Sequence, residues 1–137
     1  MLSKLAEYKI IPIAVAALLV IGLMLSRVFN QGGSEPSLTI SAEEAKGYIG
    51  SRAEVCGAVA EVAHMRDIGG EPTFINLEAE HPNQPFTALI WGDNLHRWSI
   101  TPEERYRGQY ICVRGTIRSH EDTPQIVVSS PDQIIVQ

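Results

Sequence analysis

Residues 72–93, PTFINLEAEHPNQPFTALIWGD, decide the fold. Phe74 to Ala79 alternates, with Ile75 and Leu77 on one face and Phe74 and Asn76 on the other. His81-Pro82-Asn83-Gln84-Pro85 interrupts the pattern with turn residues, and Phe86 to Trp91 is again rich in residues that suit a pleated surface. The stretch predicts two strands joined by a polar, proline-marked loop. Two strands alone are marginal in water, so the flanking sequence must close a sheet around them.

Upstream, Ser51 to Met65 reads as one long strand with Gly57 at its middle. A glycine there marks a bulge or bend, as a small barrel needs where its first strand serves two sheets. Arg66 to Glu71 is a loop containing Gly69-Gly70. Before the long strand, Ser41 and Glu44 have the spacing of a capping box, predicting a short helix over 42–48 that Gly47 and Gly50 end. Downstream, Asp93 to Arg107 loses alternation. Thr101 is a natural N-cap there, with Pro102 at the first helical position and Glu103 and Glu104 in the first turn. Gly108 to Arg118 is a fourth strand, with Ile111, Val113 and Ile117 on one face. His120-Glu121-Asp122-Thr123 turns into a fifth, Pro124 to Ser129, which Pro131 ends; Gln133 to Gln137 adds a short apolar tail. Five strands with a helix between the third and fourth is the order of an all-β, five-stranded OB-fold barrel, here predicted over 39–137.

The N-terminus has a different character. Between Lys9 and Arg27 lie 17 uncharged residues, Ile10 to Ser26. As a helix they span about 26 Å, and Leu2, Leu5, Val28 and Phe29 extend the apolar length toward the roughly 30 Å of a hydrocarbon core. The run is apolar all round, unlike a core helix. A cleavable signal needs small residues after the apolar run, and the one A-x-A triplet, Ala14-Val15-Ala16, lies inside it. Residues 1–29 are therefore expected to form an uncleaved transmembrane signal-anchor in the inner membrane, with 30–38 a flexible linker. Lys4 and Lys9 before the span place the N-terminus in the cytoplasm and the globular part outside it, in the periplasm of a Gram-negative cell.

Charge bounds the partners. Of 11 Lys and Arg and 16 Asp and Glu, the anchor holds Lys4, Lys9, Arg27 and Glu7, leaving 8 basic and 15 acidic residues in 30–137, a net of −7. Such a unit repels a polyphosphate at long range, the reverse of the usual footprint of nucleic-acid binding.

The segments YIG, VCGAV, PTFINLEAEHPNQPFTALIWG, YRGQYICVRGTI and PQIVVSSPDQI together resemble a bacterial OB-fold family of the tRNA-anticodon/helicase type, whose members occur as lone exported domains and beside secreted nucleases. The likeness runs over roughly 46–135. It implies an OB-fold of nucleic-acid-binding type with single-stranded nucleic acid as ligand. A membrane-anchored, extracytoplasmic OB-fold is also the architecture of the haem chaperone of cytochrome c maturation. The H-x-x-x-Y haem motif of that family has no match after the barrel here, so no cofactor is expected.

Individual residues carry two readings each. Cys56 and Cys112 lie in neighbouring strands on the face away from the apolar one. They form either a cross-strand disulfide, worth about 4 kcal/mol on the chain-entropy model, or two thiols out of register by one step. Phe74, Asn76, Thr87 and Trp91 share the non-core face of the second and third strands, where OB-folds hold ligands and stack bases on aromatics. The alternative is that Phe74 and Trp91 pack under the 66–71 loop or the capping helix. Arg66, Arg114 and Arg118 either meet an anion or pair with surface acids. His64, His81, His96 and His120 lack paired ligand spacing, so no metal is expected, and no nucleophile–base pair or acidic dyad suggests catalysis. The sequence thus predicts a non-catalytic, membrane-tethered binding module. Its partner is single-stranded nucleic acid by resemblance, or, alternatively, an envelope protein.

Overall fold

The computed structural model describes residues 38–137. The signal-anchor expected over 1–29 and all but the last residue of the linker lie outside the described residues. Among the described residues no helix is long and apolar enough to cross a membrane.

One strand organises the rest. β2 (Arg52–His64) runs for 13 residues and serves two sheets. β1 (Thr39–Ser41) joins its first half in parallel, with Thr39 opposite Glu54 and Ser41 opposite Cys56. On the other side β5 (Tyr110–Thr116) pairs antiparallel with Arg52 through Ala58. The second half of β2 pairs instead with β3 (Thr73–Leu77), which forms the predicted hairpin with β4 (Phe86–Ile90). β7 (Thr123–Val127) lies parallel to β4, β6 (Arg118–His120) edges β7, and β8 (Ile134–Val136) edges β5. The spatial order is β6-β7-β4-β3-β2-β5-β8. An antiparallel meander returning through a parallel strand, with its first strand shared, is OB-like.

Strand number, barrel closure, the fourth strand and the first helix all depart from expectation. Among the described residues the sheet has eight strands rather than five, and the barrel is not closed: no ladder there joins the two ends of the strand order. The predicted fourth strand, Gly108 to Arg118, is divided at Ile117. Its N–H still donates to Ser51 and its carbonyl accepts from Gly50, both beside the start of β2. The next residue, Arg118, already pairs with Gln125 of β7. One predicted strand thus contributes to both sheets. The helix predicted over 42–48 is instead a 3-10 turn, Ala45–Tyr48. The capping pair forms nonetheless, with Ser41 N donating to Glu44 Oε2 at 2.8 Å and Glu44 N to Ser41 Oγ at 3.3 Å.

The bulge in β2 is not at Gly57. Register is unbroken through Ala58 and slips between Val59 and Glu61, where two steps along β2 face one along β3. Gly57 is required for close approach instead. A Cβ there would lie 2.7 Å from Glu78 Oε1 and 3.3 Å from the Ala42 and Leu77 side chains. Glu78, with a φ of 69°, holds the next residue from both sides: its N–H donates to the Ala58 carbonyl and its Oε1 accepts from Ala58 N, each at 2.8 Å.

The core follows the apolar faces. Ile75, Leu77, Phe86, Ile111, Val113 and Ile117 are fully buried, as alternation predicts for all but Phe86, which no face had claimed. The short helix α1 (Pro102–Tyr106) forms where expected, with Thr101 Oγ1 capping Glu104 N. It covers the core with Pro102 and Tyr106, and the Tyr106 hydroxyl accepts a 2.8 Å bond from Trp98 Nε1. On the outer face Cys56 and Cys112 are direct cross-strand partners joined in a disulfide, closing a separation of 56 residues. Register had been the open question, and it is satisfied.

The β6–β7 turn places both Glu121 and Asp122 at positive φ, 48° and 64°. That is the conformation in which Asn-Gly is preferred and an acidic pair is strained. Replacing Glu121-Asp122 by Asn-Gly should raise stability by about 1 kcal/mol in denaturant titration. Unchanged or lowered stability would show that the turn carries no such strain.

Candidate functional site

The bulge in β2 decides which side chains reach the face of the second sheet away from the core. Before it, Val55 and Val59 point into the core; after it, Val62 continues that face, while Glu61 and Ala63 turn to the other. Cross-strand pairing then lines up five residues across five strands: Glu61 with Asn76, Asn76 with Thr87, Thr87 with Gln125, and Gln125 with Arg118. Partners opposite one another share a face, so this is a continuous polar row. The next row, Ala63, Phe74, Leu89 and Val127, is apolar.

The polar row is wired together. Thr87 Oγ1 donates to Asn76 Oδ1 at 2.8 Å, and Asn76 Nδ2 donates to Glu61 Oε2 at 2.8 Å. The Glu61 carboxylate also accepts from His81 N at 3.0 Å. Gln84 Nε2 faces Thr87 Oγ1 and the His81 ring, both at 3.3 Å. The His81 N–H, then the Asn76 amide, hold the Glu61 carboxyl below its ordinary value, outweighing the opposing effect of desolvation. Asn76 and Thr87 are nearly inaccessible, so they orient the row rather than touch a ligand broadly.

Over this row lies a cleft of about 560 Å³. Glu61, Asn76, Gln84 and Thr87 contribute its polar wall, with Met65, Ile68, Phe74 and Pro82 as its apolar one; His81, His120 and Gln125 also border it. Met65 and Ile68 are exposed, which leaves an apolar rim open to solvent.

The sequence-derived residues divide. Phe74, Asn76 and Thr87 come together in the cleft, and Arg118 ends the polar row. Trp91 does not join them. It lies against the Gly70 backbone, where a Cβ would meet its Cε3 at 2.9 Å, and so packs on the 66–71 loop. Arg66 borders a separate groove with Val62, His64, Thr73 and Trp98. Arg114 pairs with Glu54 at 2.5 Å on the first sheet. The three arginines therefore form no common anion site. Glu54 also lies near both cysteine sulfurs, but the disulfide engages those atoms.

Glu61, His81 and Gln84 were missed. Strict alternation from Val59 puts Glu61 in the core, and only the bulge reverses it. The hairpin loop was read as a connector, although its PNQ segment supplies Gln84.

Thr87→Val should destabilise the fold by about 1–3 kcal/mol, because Asn76 Oδ1 would lose its donor while remaining buried. Denaturant titration checks this, and a neutral result would show that the row is not a structural network. In comparisons with known proteins, no family model matches the sequence, and no curated protein matches it significantly. A solved structure that does match is of a protein described as aspartyl-tRNA synthetase, from Leishmania major Friedlin, with 11% identity and a TM-score of 0.46. The match covers 78% of this chain and 22% of that one, so the chain spans about a fifth of that protein's length.

Proposed function

We propose that the chain is a non-catalytic, membrane-tethered binding module whose OB-like unit receives a protein partner in the β2-β3-β4-β7 cleft on the extracytoplasmic side. The observation that carries this reading is the Glu61 carboxylate in the wall of the cleft, held in its charged form by His81 N and Asn76. A carboxylate there opposes a phosphate backbone, and the scattered arginines do not offset it. The exposed Met65 and Ile68 beside Phe74 suit a protein surface, whose interface core is apolar and rimmed by polar groups. The apolar 10–26 run supports the tether, and the disulfide fits an oxidising compartment.

Single-stranded nucleic acid is the second reading. The family resemblance favours it, as does the placement of Phe74 in the cleft, where a base would stack.

A photo-reactive residue at Gln125, in the cleft, or at Lys46, outside it, separates the two in living cells. The expected result is a protein adduct from Gln125 that survives nuclease, with little adduct from Lys46. Equal adducts from both positions would remove the cleft from consideration. Nuclease-sensitive adducts, together with steeply salt-dependent oligonucleotide binding that Phe74→Ala abolishes, would establish the second reading instead.

A further inference from the structure

Two acceptor atoms in residues lining the cleft lack a hydrogen-bond partner. Glu61 Oε2 is engaged twice, by Asn76 Nδ2 and His81 N, while Oε1 receives no hydrogen bond among the described residues. Gln84 Oε1 is buried and also lacks a partner. Its orientation is fixed by the other end of the amide: Thr87 Oγ1 gives its proton to Asn76 and so accepts from Gln84 Nε2, which leaves the oxygen turned away. Gln84 Oε1 has almost no exposed surface, so Glu61 Oε1 is the acceptor that a ligand in the cleft reaches, and a donor there gains a charge-assisted hydrogen bond.

The surroundings narrow the donor. Phe74 offers a ring face, and Met65, Ile68 and Pro82 offer apolar contact for an aliphatic stem. The unit's net charge of −7 over 30–137 attracts cations at long range. We infer that the cleft is a receptor for a cationic side chain, arginine or lysine, presented by the protein partner, with Glu61 Oε1 accepting its hydrogens and Phe74 lying against its charge. This rests on the protein-docking reading of the same cleft and adds the chemistry that selects the partner. An exocyclic amino group of a nucleobase would satisfy the same acceptor, but it comes with a phosphate chain that the acidic surface repels.

The test titrates the 137-residue chain, solubilised in a non-ionic detergent, with nona-arginine and with the same peptide carrying citrulline at every position. Citrulline keeps the shape and removes the charge. Binding is expected for the arginine peptide alone. Glu61→Gln should weaken it by about tenfold, in line with loss of a charge-assisted hydrogen bond. Glu43→Gln removes the same charge from an exposed position outside the cleft and should change affinity by less than about twofold. If Glu61→Gln does not fold, Phe74→Leu is read in its place, with a loss of about threefold expected.

Equal effects of Glu61→Gln and Glu43→Gln would overturn the inference, since general acidity would then explain the binding. So would citrulline binding as well as arginine, or no binding of nona-arginine at all. None of these disturbs protein docking at the cleft, which stands or falls on the Gln125 adducts.

Discussion

Everything in this fold depends on β2 belonging to two sheets. Thirteen residues pair with β1 and β5 over one half and with β3 over the other, and the exchange of partners occurs within a few residues of Gly57. Three local devices make the exchange possible. Gly57 leaves room for the Glu78 carboxylate, Glu78 occupies both hydrogen-bonding groups of Ala58, and the Val59–Glu61 bulge reverses the faces of the strand. The disulfide then ties β2 to β5 on the side away from the core. Without the bulge, Glu61 would face apolar side chains and the polar row across the second sheet would lack its first member.

Electrostatically the cleft differs from what its fold suggests. A binding face on an OB-like sheet leads one to expect cations beside an aromatic, and Phe74 supplies the aromatic. Beside it in the cleft wall, however, is a carboxylate held charged by a backbone N–H and an amide. Arg118 stands at the far end of the row; Arg66 and Arg114 belong to other surfaces. The buried members of this network, Asn76 and Thr87, orient Glu61, and on that orientation rests our proposal of a cationic partner.

Much of this was legible in the sequence wherever a single period governed. The 72–93 hairpin, the Thr101-capped helix, the apolar face of Ile111, Val113 and Ile117, and the opposition of Cys56 to Cys112 all follow from alternation and capping chemistry. What failed were the places where the period changes phase. The bulge is carried by Val59-Ala60-Glu61, which has no residue that announces it, while the glycine that seemed to announce it serves packing. The split at Ile117 lies within an unbroken strand pattern, and whether a barrel closes depends on how the whole sheet coils, which no local segment encodes. Trp91 continues the alternation of β4 by one residue, but β4 ends at Ile90 and the ring folds onto Gly70. The Glu61–Gln84 site combines two segments across the bulge, and strict alternation could not have brought them together.

The central claim is that the bulge delivers a charged carboxylate to the floor of the cleft. Site-resolved carbon NMR of the Glu61 side-chain carboxyl, followed through an acid titration, tests it most directly. The account predicts a midpoint below the ordinary glutamate value near 4.5, because hydrogen bonds from His81 N and Asn76 Nδ2 favour the ionised form. A midpoint at or above that value would mean that the carboxyl is not held charged in the cleft, and the electrostatic reading of the site would fall with it.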